Sequence, residues 1–200
     1  MQIPVKQLKQ MSVTVTNGNI SAKQLIAKEV YFKSTNGNIV NRNLSIQDQY
    51  KAEIVNGNVT ASDITSQKLI EIKSSNGNIK LERAQAATID LGTRVGGVEG
   101  TSLAGEVLIH SSTGNLKIDQ RDINLAGSIQ ASTNTGKIDI ALRPEQSVSL
   151  LFTSTVGIGD VSLEGMDFSE SSKHKLVGKN GDGKYKIQVD TATGNFKLHE

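Results

Sequence analysis

An all-β parallel β-helix, or β-solenoid, is the fold this 200-residue sequence predicts: one domain over residues 1–200, with about nine coils of about 20 residues. Three observations carry that expectation. Asn-Gly-Asn recurs at Asn17-Gly18-Asn19, Asn36-Gly37-Asn38, Asn56-Gly57-Asn58 and Asn76-Gly77-Asn78, followed at once by Ile20, Ile39, Val59 or Ile79. Apolar residues fall at fixed offsets on both sides of every glycine. The residue before glycine is β-branched wherever the asparagine is lost. Self-similarity near 20 residues is the signature of stacked units that each bury their apolar face only against a neighbour.

The first coils set the frame for the later ones. With each glycine as position zero, the column runs Gly18, Gly37, Gly57, Gly77, Gly96, Gly114, Gly136, Gly157 and Gly194, with gaps of 18 to 22 residues until a last one of 37. Seven residues before glycine stand Met11, Val30, Tyr50, Ile70, Ile89, Val107, Ile129, Leu150 and Ile187. Five before stand Val13, Phe32, Ala52, Ile72, Leu91, Ile109, Ala131, Phe152 and Val189, and two after come Ile20, Ile39, Val59, Ile79, Val98, Leu116, Ile138, Gly159 and Phe196. Alternation with period two on both sides of a glycine reads as strand, corner, strand.

Asn-Gly between such strands is also a strong signal for an antiparallel hairpin with a type I′ turn. That turn needs positive φ at both central residues, and Val95, Thr113, Thr135, Val156 and Thr193 resist it. A solenoid corner that demands positive φ at glycine alone fits all nine copies, so parallel coils are preferred. Stacking at about 4.8 Å makes a rod about 40 Å long, in which aligned asparagines can form amide ladders. Each buried large aliphatic contributes about 1.5–3 kcal/mol.

Between Gly157 and Gly194 no full copy of the pattern fits. Residues 162–186 are expected to form an irregular loop or hairpin insertion before the final coil, because Ser169–Lys175 is polar and Gly178-Lys179-Asn180-Gly181-Asp182-Gly183 is a strong turn signal. Short helical turns are expected within Ser21–Lys28 and Glu82–Ala87.

Composition excludes several function classes. Twenty-two Lys and Arg against 20 Asp and Glu, without long runs of either sign, leave no nucleic-acid footprint. The absence of cysteine removes disulfides, thiolate nucleophiles and cysteine-ligated metals, and leaves the compartment open. No apolar stretch is long enough to span a membrane, so no direct membrane insertion by this segment is expected. The opening Met1-Gln2-Ile3-Pro4 lacks a basic and then apolar signal pattern, so an anchor or signal is expected to lie outside these residues.

Candidate chemistry is sparse. Lys80, Glu99, Lys117 and Asp139 stand three after glycine in consecutive coils, where Lys117 and Asp139 would serve as an acid-base pair or, as we prefer, as part of a surface ion ladder. Glu82 and Asp119 share one position two coils apart, about 9.6 Å by strand spacing, marginal for an inverting glycosidase. Asp119, Arg121 and Asp122 imitate the acidic and basic clusters of polysaccharide-active β-helices but also fit a solvated loop. Gly157-Ile158-Gly159-Asp160 and Asn180-Gly181-Asp182-Gly183 lack the tandem repeats or distal glutamate of calcium sites. His110, His174 and His199 are scattered, and neither a Gly-x-Ser-x-Gly elbow nor a phosphate loop is present. No catalytic residue, cofactor or metal is assigned; the nine glycines are assigned as structural corners.

The pattern Φ-x-Φ-x-[Ser/Thr]-x-x-Gly-x-Φ, as in Ile70–Ile79 and Ile129–Ile138, together with the closing Gly183–Val189 and Thr193–Leu198, resembles a bacterial family catalogued under the name adhesin and classed as a domain of unknown function. The resemblance covers nearly the whole chain. It implies a right-handed β-helical domain, often tethered at the cell envelope or its extracellular face, with many Gram-positive members and no catalytic residues to transfer. The expected function is a non-catalytic scaffold binding a protein or cell-wall polymer. Alternatives are a polysaccharide-active β-helix and a self-assembling scaffold joined through uncapped solenoid ends.

Overall fold

A computed structural model describes residues 8–200; the opening Met1–Pro4, read above for a signal pattern, lies outside them. Every described element is a strand, from Leu8–Asn17 to Phe196–His199. Most pair in parallel with the equivalent residues of the adjacent coil: Val13 with Phe32, Phe32 with Ala52, Ala52 with Ile72, and Ile72 with Leu91. The hairpin alternative is thereby excluded for the repeats. Segments 21–28 and 82–87 hold strand rather than the expected helical turns, because Ser21–Lys23, Leu25–Ala27, Glu82, Ala84 and Gln85 pair in parallel with neighbouring coils.

Each coil has three faces. The first runs from seven residues before glycine to the glycine corner and buries three side chains, as in Val30, Phe32 and Ser34. The second buries two, Ile39 and Asn41, and the third two more, Leu44 and Ile46. A second corner lies six after glycine, where Gln24, Asn43, Asp63, Arg83 and Ser102 all take φ of 49–58°. This left-handed column throws the chain one residue out of alternation, so that an inward residue follows on the new face. Asn and Asp tolerate it best, but only Asn43 and Asp63 are of that type, so sequence pattern alone leaves the column invisible.

The glycine corner is specified twice. Eight of the nine glycines have φ of 138–157°. In addition, a Cβ on any glycine from Gly37 onward would sit 1.6–2.1 Å from the carbonyl oxygen of the glycine in the layer beneath. Gly157 lies outside the positive-φ set yet meets the Gly194 oxygen at 1.9 Å, so close approach alone demands glycine there.

Two asparagine columns flank this spine. Before glycine, Asn36, Asn56 and Asn76 each donate Nδ2–H to the Oδ1 of the preceding layer at 2.9–3.0 Å. After glycine, the Oδ1 of Asn19, Asn38, Asn58 and Asn78 accepts from the backbone N–H of the next layer at 2.7–3.0 Å. Ser34, Thr93, Ser111 and Thr133 donate their hydroxyls to glycine carbonyls one layer away. The buried Asn41 bonds through both ends of its amide: its Oδ1 accepts from Ala22 N–H, and its Nδ2 donates to the Tyr50 hydroxyl at 2.6 Å.

Chain order holds for about seven turns and then breaks. Gly194 stacks on Gly136, and Gly157 stacks on Gly194. Tyr185–Thr193 is therefore flanked by Ile129–Thr135 and Val148–Val156, both parallel to it. Phe196–His199 likewise lies between Ile138–Leu142 and Gly159–Ser162. Intercalation makes this late segment the most buried of the end layers, with Ile187, Val189, Phe196 and Leu198 at 0–1% exposure. Phe196 stacks on Phe152 with ring centroids 5.2 Å apart. Beyond Val148–Val156, Lys175–Lys179 pairs antiparallel, and Asp167–Ser171 pairs antiparallel with that in turn. Leu176 is buried and Met166 and Phe168 pack on the core, so this hairpin caps one end of the rod. At the other end Leu8–Asn17 pairs, among the described residues, with Ile20–Asn36 alone, and Met11, Val13 and Val15 are half-buried.

Candidate functional site

Parallel register delivers the outward ladder and reassigns its partners. Lys80, Glu99, Lys117 and Asp139 do stack in consecutive layers, and intercalation extends the column through Lys197 to Asp160. Lys117 faces Glu99 at 3.8 Å, while Asp139 takes His199 Nε2 at 2.9 Å; Lys117 and Asp139 are register partners whose charges pair elsewhere. Lys80 pairs with Glu82 at 2.8 Å along its own strand. Its ammonium holds the Glu82 carboxyl below the usual carboxylate range, against the opposing effect of partial burial.

Glu82 and Asp119 stand in one column with Thr101 between them, two strand spacings or about 9.6 Å apart. Asp119 is gripped by Arg121 at 2.5 Å, and that hydrogen-bonded guanidinium lowers its pKa. Carboxyls held ionised in this way serve poorly as general acids, which need a raised pKa. Asp160 is in register with Lys197. The Asp182 carboxylate accepts from the Ser147 hydroxyl and from the Lys184 N–H. Among the described residues no three His, Cys, Asp or Glu gather into a metal-binding group. His174 Nδ1 lies 2.7 Å from the Gly157 carbonyl oxygen, and the exposed His110 lies 3.7 Å from Asp90. Partial burial of the ring, then the Lys73 charge, lowers the His110 pKa.

The larger polar surface is on the first face, at the outward slots six and four before glycine. Lys33 meets Glu53 at 3.3 Å, Lys51 meets Glu71 at 2.9 Å, and Lys73 meets Asp90 at 2.5 Å. Tyr31 donates its hydroxyl to Glu53 at 2.8 Å. Hydrogen bonding to Tyr31 and Lys33 lowers the Glu53 pKa. These residues were not singled out from the sequence, although the repeat columns hold the signal: charge alternates through Lys33, Glu53 and Lys73 four before glycine, and Lys51 is followed by Glu71 and Asp90 six before it. Each pair is exposed enough to contribute only about 0.2–1 kcal/mol. Their collective effect is a flat charge grid with fixed spacing.

The polar corner of the second face opens a groove of about 540 Å³ where Gly97 replaces asparagine, lined by Asn58, Asn78, Lys80, Glu99, Asn115 and Lys117. Asn78 Oδ1 reaches Gly97 N–H at 2.7 Å, but Gly97 has no amide to pass to Asn115. A second groove, about 480 Å³, lies at the cap hairpin, where Leu151 and Val177 are bordered by Lys179 and Lys186.

Such geometry defines a class: a three-faced β-solenoid with a glycine spine, asparagine columns and ion-paired outer faces. The chain belongs to the family Toastrack DUF4097, a domain of unknown function that matches residues 1–199. No curated protein and no solved structure matches it. Among the described residues no helix is long and apolar enough to cross a membrane.

Proposed function

We propose that the domain is a non-catalytic scaffold that presents its first face to a partner protein or a cell-wall polymer, as an adhesin-like module at the cell envelope. The observation carrying this reading is the fate of the carboxylates. Glu53, Glu82 and Asp119 are each committed to a cation or hydroxyl that keeps them ionised. A grid of paired charges, repeated at the strand spacing, suits an extended partner with its own periodic charges, through complementarity spread over many weak contacts. The envelope address rests on the family resemblance.

Incubation with a panel of cell-wall and capsular polysaccharides tests the proposal. Expected is retention of at least one polymer or envelope protein without release of shortened products, weakened severalfold by combined Lys33→Ala, Lys51→Ala and Lys73→Ala. Turnover that disappears in Glu82→Gln or Asp119→Asn would replace this reading with the polysaccharide-active one.

A further inference from the structure

The intercalated layer carries an inference beyond partner binding. Tyr185–His199 is separated from its neighbours in space by long stretches of chain: Ile187 pairs with Ile129 on one side and with Leu150 on the other. Both flanking layers precede it in sequence. If chain segments form in order, Val148–Ser162 must stand off from Ile129–Leu142 by two strand spacings, or move there later, before the slot can fill.

An empty slot would expose two parallel edges at once. On one, Gly136 N–H and Ile138 N–H donate to Thr193 and Asn195 carbonyls at 3.0 and 2.9 Å. On the other, Gly194 N–H and Phe196 N–H donate to Val156 and Ile158 carbonyls at 2.9 and 3.0 Å. Side chains add to the selectivity: Thr153 donates to Asp190, the Asn195 Oδ1 accepts from Ile158 N–H, and His199 meets Asp139. A strand that fits must run parallel to both edges, place Ile, Val, Phe and Leu inward in this register, and carry glycine between Gly136 and Gly157. The segment that meets those demands is this chain's own 185–199.

We propose that this slot is a strand-exchange site, and that its partner is the same segment of a second copy. Two chains would trade residues 184–200 and form a closed, two-fold domain-swapped dimer. The hinge is the turn Asn180–Gly183, in which Gly181 and Gly183 take φ of 56° and 69° and Gly183 N–H returns to the Asn180 carbonyl. Opening that turn sacrifices the Gly183–Asn180 backbone hydrogen bond and the bonds that Asp182 accepts from Ser147 and Lys184, while the contacts within the slot are regained from the other chain.

Ser132 and Asp190 are outward partners across the slot, and the chain has no cysteine of its own, so a disulfide reports occupancy cleanly. Paired parallel-strand residues lie within the Cα separation a disulfide spans. One chain carries Ser132→Cys and a second, of different mass, carries Asp190→Cys; the two are refolded together at high concentration and oxidised. Expected is a mixed disulfide in severalfold excess over a control pairing Ser132→Cys with Lys23→Cys, its yield rising with concentration. The double variant in one chain closes an internal disulfide at low concentration and suppresses the dimer. Internal closure with no mixed disulfide above control overturns the exchange. Absence of both overturns the intercalation on which it depends.

Discussion

Replacing Gly57 with alanine would place a methyl carbon 1.6 Å from the Gly37 carbonyl oxygen and 2.8 Å from its carbon. Both are backbone atoms of a stacked layer, so neither can swing away. Alanine must also hold φ near 138°, at about 1–3 kcal/mol. Four hydrogen bonds cross the same interface: Gly37 N–H to Asn56 O, Ile39 N–H to Asn58 O, Asn56 Nδ2 to Asn36 Oδ1, and Asn58 N–H to Asn38 Oδ1. Loss of two of them, at about 0.5–1.5 kcal/mol each, brings the total to about 2–6 kcal/mol, a large share of a typical domain's stability. Gly18 separates the two causes. Its φ is 140°, its motif is identical, and its nearest described neighbour for a Cβ is the Val15 side chain at 3.4 Å. Gly18→Ala should therefore show the backbone strain alone. Gly157→Ala, at a corner outside the positive-φ set, should show the close approach alone. Equilibrium guanidinium unfolding followed by circular dichroism measures all three. A Gly57→Ala variant no less stable than Gly18→Ala would refute the stacking argument.

Three other outcomes are expected. Ile72→Asp should unfold the protein or cost about 4 kcal/mol or more by burying an unpaired charge, whereas Lys117→Ala, whose side chain is 56% exposed, should change the unfolding midpoint little. Tyr50→Phe should cost about 1–3 kcal/mol, because the buried Asn41 amide loses its acceptor; Tyr50→Phe combined with Asn41→Leu should cost less than the sum of the two singles. Glu53, Glu82 and Asp119 have lowered folded-state pKa values, so their stabilisation is complete above the ordinary carboxylate range and is lost as pH falls through the lowered values; a pH series of melting temperatures should decline below about pH 4, and less steeply in high salt.

The parallel stack was legible because it rests on columns that a single alignment exposes: Ile72 over Ala52 and under Leu91, with glycine at every corner. The second corner was hidden for a physical reason. Gln24, Asn43, Asp63, Arg83 and Ser102 share a backbone conformation without sharing a side chain, so no residue type marks the column. The order of the last layers was hidden for another. Gly157 and Gly194 satisfy the repeat equally well, and an apolar pattern fixes which face a strand presents while leaving open which layer it joins. The first-face charge grid, by contrast, was readable from Lys33, Glu53 and Lys73 in one slot and Lys51, Glu71 and Asp90 in the next.

From seven residues before glycine to five after it, successive coils keep one register without insertion. Length differences collect at the opposite edge, as the shifts between Ala27 and Glu29 and between Gln85 and Thr88, and as the longer excursions near Asn124 and Pro144. The rod thus has one edge on which evolution cannot add a residue without breaking a backbone contact, and another on which it can add several. Diversity of recognition among such rods should accumulate along that permissive edge, and loops grafted there should leave the molecule's pitch and length unchanged.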